Sequence, residues 1–215
     1  FDALFLWAGD SRGYLLTPSG LRQLTRDELR GGPDAFENLY ADAPLSNTVN
    51  ADDEITLSAR AVRAPYPAVL FVATDGAFGY VPSPMQFELM LLEALEEAQS
   101  PKAWEDALAR RLAALAGDDA TLVMAILGWS DFEALRRDFA PRRDALRRLL
   151  PDAARSEDRA VLEAGWADYR RDYYAERRPL WPTASGITSP AHPLPPRIAA
   201  APAGASRCAG AGSIF

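Results

Sequence analysis

Carboxylates are the side chains of this sequence best suited to chemistry. The chain has 215 residues with 30 Asp and Glu, but only one Cys, Cys208, and one His, His192, which lies in a Pro-rich stretch. A Ser–His–Asp or Cys–His nucleophile system is therefore close to excluded within the chain, and a zinc site built from Cys and His is excluded. No Gly-rich loop followed by Lys occurs, so a P-loop is excluded as well.

Three aspartates share one sequence context, because each lies at the end of an apolar run. Asp10 follows LFLWAG, Asp75 follows VLFVAT, and Asp118 precedes TLVMAIL. Such runs predict buried strands, and a sheet can bring the ends of distant strands together. Converging carboxylates would suit Mg²⁺ or Mn²⁺, which prefer oxygen ligands. Each aspartate taken alone is more typical of a solvated turn, so this alternative stays open.

The stretch around Asp10, GDSR at residues 9–12, lies between two strand-like segments. Gly-Asp-Ser is ordinary turn chemistry, so a hairpin between 3–8 and 13–17 is the simpler interpretation. The more specific interpretation is that the strand delivers Asp10 to a metal ion.

The remaining chain predicts a mixture of strands and helices. Ser-Pro pairs at 83–84 and 100–101 predict helix starts, and Ser130 with Glu133 predicts a third. We expect Pro141 to break or restart that third helix. The predicted strands cover 3–8, 13–17, 21–25, 54–62, 68–74 and 121–129, and a last helix covers 157–176. The last two strands are apolar throughout, which predicts burial on both faces.

Taken in order, the three aspartates and their flanks resemble the C-terminal half of the metal-dependent protein phosphatase family, type 2C. That family joins two strands by a Gly-Asp-Ser-Arg turn and follows it with a Gln-Leu-Thr-x-Asp segment, matched here by residues 9–12 and 23–27. A later Thr-Asp-Gly word is matched at 74–76, and an Asp-Asp pair before the last core strand at 118–119. The resemblance covers about residues 3–128.

The resemblance implies an α+β fold, part of a four-layer α-β-β-α sandwich in which helices flank two antiparallel sheets. It implies that Asp75 and Asp118 ligate two core Mn²⁺ or Mg²⁺ ions, and that Asp10 serves a third, more weakly held ion. The metals would activate a water that attacks the phosphorus of a phosphoserine or phosphothreonine protein substrate. Ser11 and Arg12 are expected to shape the turn rather than to contact the substrate.

Other words of the family do not occur in this chain. The N-terminal half of the family carries a phosphate-binding arginine, a Glu-Asp word and an Asp-Gly-His-Gly-Gly word, and none is present. Pro65-Tyr66-Pro67 stands where the family tends to place a Gly-Asp pair. We therefore expect a phosphatase truncated at its N-terminus and inactive as this chain alone. A non-catalytic pseudophosphatase that binds phosphoproteins, or a plain scaffold, stays open as an alternative.

The resemblance and the composition together divide the chain into three parts. The resemblance implies a phosphatase-like half over residues 1–128, followed by a helical C-terminal extension over 129–182. Residues 183–215 are a Pro/Ala/Gly-rich tail that we expect to be disordered. In the extension, the helical spacing of Trp166 and Tyr173 predicts packing against the core, with a lid or docking helix as the alternative.

Charge and composition limit the partners. The net charge of −7 argues against nucleic acid as a partner. No apolar run approaches the roughly 20 residues that a membrane helix needs, so we expect no membrane association. A single cysteine cannot form an internal disulfide, which favours a reducing, cytoplasmic location. Nothing in the sequence indicates the oligomeric state.

Overall fold

The computed structural model describes residues 1–41, 43–48, 56–150 and 158–175. The predicted disordered tail, 183–215, lies outside the described residues. The elements follow in the order β1 (Asp2–Trp7), β2 (Arg12–Thr17), β3 (Gly20–Gln23), a 3₁₀ helix (Glu37–Leu39), β4 (Ser58–Arg63), β5 (Ala68–Ala73), α1 (Asp75–Phe78), α2 (Pro84–Glu97), α3 (Pro101–Leu115), β6 (Leu122–Leu127), α4 (Phe132–Leu149) and α5 (Arg159–Tyr173).

The strands form two antiparallel sheets. β1 pairs with β4 in a two-stranded sheet, and the other strands form a four-stranded sheet in the order β3-β2-β5-β6. β2 and β3 form a hairpin in which Thr17 lies opposite Gly20. The predicted α+β class, with two antiparallel sheets and flanking helices, is confirmed.

The two faces of the four-stranded sheet belong to different layers. Tyr14 and Leu16 of β2 lie in the main hydrophobic core, which the sheet shares with helices α2 to α5. Leu15 lies between them and points to the opposite face, because side chains alternate along a strand. There it packs in a smaller core with Val62 of β4 and Phe5 of β1. The described residues therefore form three layers: helices, the larger sheet and the smaller sheet.

The helices after β6 share the main core. Trp166 and Tyr173 of α5 are buried in it, as their helical spacing predicts. No helix in the described part of the chain is both long enough and apolar enough to cross a bilayer.

The Gly-Asp-Ser-Arg turn does not close a hairpin. β1 ends at Trp7 in the smaller sheet, and β2 begins at Arg12 in the larger one, so residues 8–11 carry the chain from one sheet to the other. β1 pairs with β4, and β2 pairs with β3 and β5, so the two strands that flank the turn do not pair with each other.

Two of the three predicted helix starts are confirmed. The hydroxyl oxygens of Ser83 and Ser100 each accept a backbone amide hydrogen three residues on, at 3.1 Å. The third start is one residue later than predicted, because the carboxylate of Asp131, not Ser130, accepts that amide bond, at 2.8 Å.

Pro141 lies inside α4 and neither breaks nor restarts it. A proline inside a helix lacks one amide hydrogen and costs about 3 kcal/mol. Leu135 and Phe139 before it and Leu146 after it are all buried in the main core. Burial of both halves of the helix on one surface offsets the local cost.

The last two predicted strands are less buried than their apolar sequences indicate. β6 is an edge of the larger sheet, and its Val123 is 60% exposed. Val72 of β5 lies opposite Val123 and is exposed as well. Both side chains lie on the face of the larger sheet that points away from the helices. The smaller sheet covers only part of that face. The expected burial of both faces is therefore wrong at this corner.

Candidate functional site

The turn that carries Asp10 is held by the segment after β3. Gly9 has a φ of +86°, a left-handed conformation that favours glycine. Its amide donates to the Glu28 carboxylate at 2.9 Å, and its carbonyl accepts the Glu28 amide at 3.0 Å. Glu28 therefore fixes the residue immediately before Asp10.

The segment after β3 also hydrogen-bonds to the chain at the other end of the turn. The carbonyl of Gly13 accepts the amide of Leu24 at 2.7 Å, and the amide of Gly13 donates to the Thr25 hydroxyl at 2.9 Å. Residues 24–28 thus lie along residues 9–13, which explains why a Gln-Leu-Thr-x-Asp segment accompanies a Gly-Asp-Ser-Arg turn.

Arg12 and Asp27 form a buried, bidentate ion pair in the middle of this arrangement. Nε and Nη2 of Arg12 donate to the two carboxylate oxygens of Asp27 at 2.9 and 2.6 Å. Gln23 and Asn38 donate to the same carboxylate at 2.8 and 3.0 Å. Burial alone would raise the pKa of Asp27, but Arg12 and these hydrogen bonds outweigh burial and lower it. Arg12 therefore anchors the turn, and its charge is neutralised.

Asp10 and Asp75 line the same cavity, which has a volume of about 250 Å³. Asp75 is the first residue of α1, directly after β5 and Thr74. Burial, and next the nearby Asp75 carboxylate, raise the pKa of Asp10 above its ordinary value. The two carboxylates are thus close enough to repel each other.

Two further elements complete the cavity. The segment after β3 contributes Asn38, Leu39 and Ala41 to its lining. Residues at and after the end of α1, namely Phe78 and Tyr80, contribute another side. The Arg12–Asp27 pair also lines the cavity, with the Arg12 guanidinium 4.1 Å from the centre of the Phe78 ring.

Asp118 lies on the neighbouring loop, which runs directly beside Gly76. A Cβ at Gly76 would come within 2.3 Å of the Asp119 carbonyl oxygen, so only glycine allows this approach. The Asp118 carboxylate accepts the amide hydrogen of Asp119 at 2.7 Å. Among the described residues that line the cavity, Asp118 is missing. The structure thus brings Asp10 and Asp75 together and places Asp118 on an adjacent loop.

The donor chemistry suits a hard divalent cation, but the described donor set is incomplete. Asp10 and Asp75 supply carboxylate oxygens to one polar cavity. Within the described ranges, no group of three or more His, Cys, Asp or Glu side chains is arranged to hold a metal ion. Water, backbone carbonyls or groups outside the described residues would have to supply the other ligands.

The sequence reasoning missed the contribution of residues 34–41. Asp34 accepts the amide hydrogens of Phe36 and Glu37 at 2.9 and 3.3 Å, directly before the 3₁₀ helix that carries Asn38. The available signal was an Asp followed by a short helical stretch, which is a weak one.

No protein-family model and no curated protein sequence matches this chain. Its fold is similar to part of several solved structures. PppA, a key regulatory component of T6SS in Pseudomonas aeruginosa, is 19% identical, with 59% of this chain and 53% of that chain covered and a TM-score of 0.45.

The PPM Ser-Thr phosphatase MsPP from Mycobacterium smegmatis is 20% identical, with 59% of this chain and 56% of that chain covered and a TM-score of 0.47. The serine/threonine phosphatase Stp1 from Staphylococcus aureus is 16% identical, with 60% and 52% covered and a TM-score of 0.47. The chain thus spans about half the length of these structures.

Proposed function

We propose that this chain carries part of a metal-dependent phosphatase site that acts on phosphoserine or phosphothreonine in proteins. The observation that carries the proposal is the placement of the Asp10 and Asp75 carboxylates in one cavity, at the point where β1 and β5 end. The Gly-Asp-Ser-Arg and Thr-Asp-Gly words around them support it, because the resemblance in the sequence assigns both aspartates to cation binding.

In this proposal Asp75 and Asp118 hold two core Mn²⁺ or Mg²⁺ ions, and Asp10 holds a third, weaker one. Bound there, such ions would lower the pKa of water and stabilise negative charge on a phosphoryl group. Repulsion between the Asp10 and Asp75 carboxylates favours a cation between them. Asn38 and the Arg12–Asp27 pair hold the walls of the cavity together and take no part in the chemistry.

The described residues offer cation ligands but little to hold phosphate. Arg12 is the cationic side chain among those that line the cavity in the described part of the chain, and Asp27 neutralises it. Good positioning of the substrate is a large part of catalysis. We therefore expect residues 1–215 alone to hydrolyse a phosphothreonine peptide very slowly or not at all, even in millimolar Mn²⁺.

A second function, a non-catalytic module that binds phosphoproteins, would need a phosphate-binding cation from outside the described cavity lining, because Asp27 neutralises Arg12. The two functions differ in their dependence on metal. A phosphatase site gains hydrolysis when the missing ligands and a phosphate-binding cation are supplied by a longer natural chain, whereas a binding module stays silent with every divalent ion.

The test is a calorimetric titration of the chain with Mn²⁺. We expect weak binding that falls at least about tenfold in Asp10→Asn and in Asp75→Asn, the order expected when one of few carboxylate ligands is lost. Asp106→Asn is the matched control, because Asp106 lies on the exposed face of α3 and pairs with Lys102. Absence of Mn²⁺ binding in the unaltered chain, or equal loss in the control, contradicts the proposal.

A further inference from the structure

One wall of the cavity is built by residues 34–41, called here the wall segment. Its Asn38, Leu39 and Ala41 line the cavity that holds Asp10 and Asp75. Outside the cavity, α5 lies against this segment, although α5 follows it by more than one hundred residues.

Trp166 of α5 hydrogen-bonds to Asp34, which lies just before the 3₁₀ helix of the wall segment. Its indole Nε1 donates to Asp34 at 2.9 Å, and the acceptor is the same oxygen that binds the amides of Phe36 and Glu37. The indole also stacks on the Phe36 ring, with centroids 6.1 Å apart and planes at 25°. Trp166 therefore contacts both the Asp34 carboxylate and the buried Phe36 ring of the wall segment.

Two other residues at the ends of α5 contact the wall segment. The Tyr174 hydroxyl oxygen accepts the Ala35 amide hydrogen at 2.6 Å. Arg159 donates to the Glu37 carboxylate at 2.9 Å, and its guanidinium lies 4.7 Å from the centre of the Tyr40 ring. The wall segment is thus held along its length from one side by a single helix.

The wall segment also hydrogen-bonds to the Arg12–Asp27 pair, next to the turn that carries Asp10. The carbonyl of Ala35 accepts a hydrogen bond from Arg12 Nη2 at 3.2 Å. Asn38 donates to Asp27 at 3.0 Å. The two peptide groups that flank Ala35 therefore link Tyr174, at the end of α5, to Arg12 of the buried ion pair. Arg12 follows Asp10 by two residues in the chain.

We propose that Trp166 and Tyr174 are positioning residues for the cavity, because they fix the wall segment against the Arg12–Asp27 pair. Packing of α5 and cation binding at Asp10 and Asp75 then strengthen each other, since coupling between two sites is reciprocal. The coupling to a cation rests on the proposed function, whereas the positioning of the wall segment does not.

The positioning is tested without metal, by amide hydrogen exchange on the 215-residue chain. In Trp166→Phe and Tyr174→Phe we expect the wall segment to exchange about five- to tenfold faster, the order expected for one lost hydrogen bond, while β2 and β5 keep their rates. Asp168→Asn, on the exposed face of α5, should exchange like the unaltered chain. Unchanged exchange in the wall segment, or equal acceleration in β2 and β5, overturns the positioning role. Tyr174→Phe removes a single oxygen and keeps the test valid if Trp166→Phe fails to fold.

The coupling is tested with Mn²⁺ alone. We expect Tyr174→Phe to bind Mn²⁺ several-fold more weakly with unchanged stoichiometry, and saturating Mn²⁺ to slow amide exchange in α5 of the unaltered chain. Asp168→Asn should keep the unaltered affinity. An unaltered affinity in Tyr174→Phe overturns the coupling. A chain that binds no Mn²⁺ overturns the proposed function and the coupling together, while the metal-free exchange still decides the positioning role.

Discussion

Tyr169 of α5 donates a hydrogen bond of 2.6 Å to the carboxylate of Glu88 in α2, a side chain that is fully buried. Arg142 of α4 donates two more hydrogen bonds to the same carboxylate, at 2.8 and 2.7 Å. Three helices therefore meet at one buried negative charge. A buried ion pair that loses one partner leaves the other uncompensated, at a cost of about 3–5 kcal/mol.

Arg142→Met is expected to lower the free energy of unfolding by about 3 kcal/mol, because Glu88 would keep a buried charge without its ion-pair partner. The value lies at the lower end because the Arg142 side chain is 22% exposed. Urea denaturation measures it. Arg137→Met is the control on the same helix, since that side chain is 71% exposed. Equal losses in the two variants would contradict a special role for the buried charge.

Asp27 is expected to make stability fall at acid pH. Its pKa is lower in the folded chain than the ordinary value of about 3.9, so its contribution is fully present above that value and is lost as the pH falls through the folded pKa. Asp27→Asn should remove this part of the pH dependence and destabilise the fold at neutral pH, because Arg12 would remain buried and unpaired. Urea denaturation from pH 7 to pH 3 compares the two proteins, and parallel curves would refute the expectation.

Gly76→Ala is expected to displace the loop that carries Asp118 and Asp119. The added Cβ would come within 2.3 Å of a backbone carbonyl oxygen, a clash that needs movement of the chain and costs about 1–3 kcal/mol. Gly32→Ala is the matched control, because a Cβ there meets nothing within 4 Å. Thermal unfolding of both variants measures the difference, and an equal small effect would show that the loop yields easily.

Two tyrosines should respond in opposite ways to loss of the hydroxyl group. Among the described residues, the buried Tyr14 hydroxyl has no hydrogen-bond partner, so Tyr14→Phe is expected to change the free energy of unfolding little or to raise it by up to about 1 kcal/mol. Tyr169→Phe removes the bond to Glu88 and should lower it by about 1–3 kcal/mol. Chemical denaturation of the pair gives the comparison. A larger loss in Tyr14→Phe would mean that its hydroxyl has a partner such as a buried water.

The sequence predicted the parts of the site that depend on short-range geometry. The segment after β3 hydrogen-bonds to Gly9 and Gly13 at the two ends of the turn, and its Asp27 pairs with Arg12, so the joint occurrence of the two motifs carries structural information. The placement of Asp75 after β5 also follows from one apolar strand and its end. The roles of Asp10, Asp75 and Asp118 as ligands stay predictions.

The sequence could not predict which strands pair with the two strands that flank the turn. β1 pairs with β4, some fifty residues later, and nothing in GDSR distinguishes a hairpin from a crossing between sheets. The spacing of Trp166 predicted a buried face of a helix, which is confirmed. That its indole also reaches Asp34, 132 residues away in the chain, has no local signal.

The bond between Tyr174 and Ala35 has a consequence for the order in which the molecule is built. The two residues are separated by 139 positions in the chain, and Tyr174 follows Asp75 by about one hundred residues, so a ribosome that has completed Asp10 and Asp75 must still make that stretch before this bond can form. Domains fold as their residues emerge during synthesis, at about 5–20 residues per second. The nascent chain therefore carries Asp10 and Asp75 for several seconds before Tyr174 is made and the wall segment beside them can be secured.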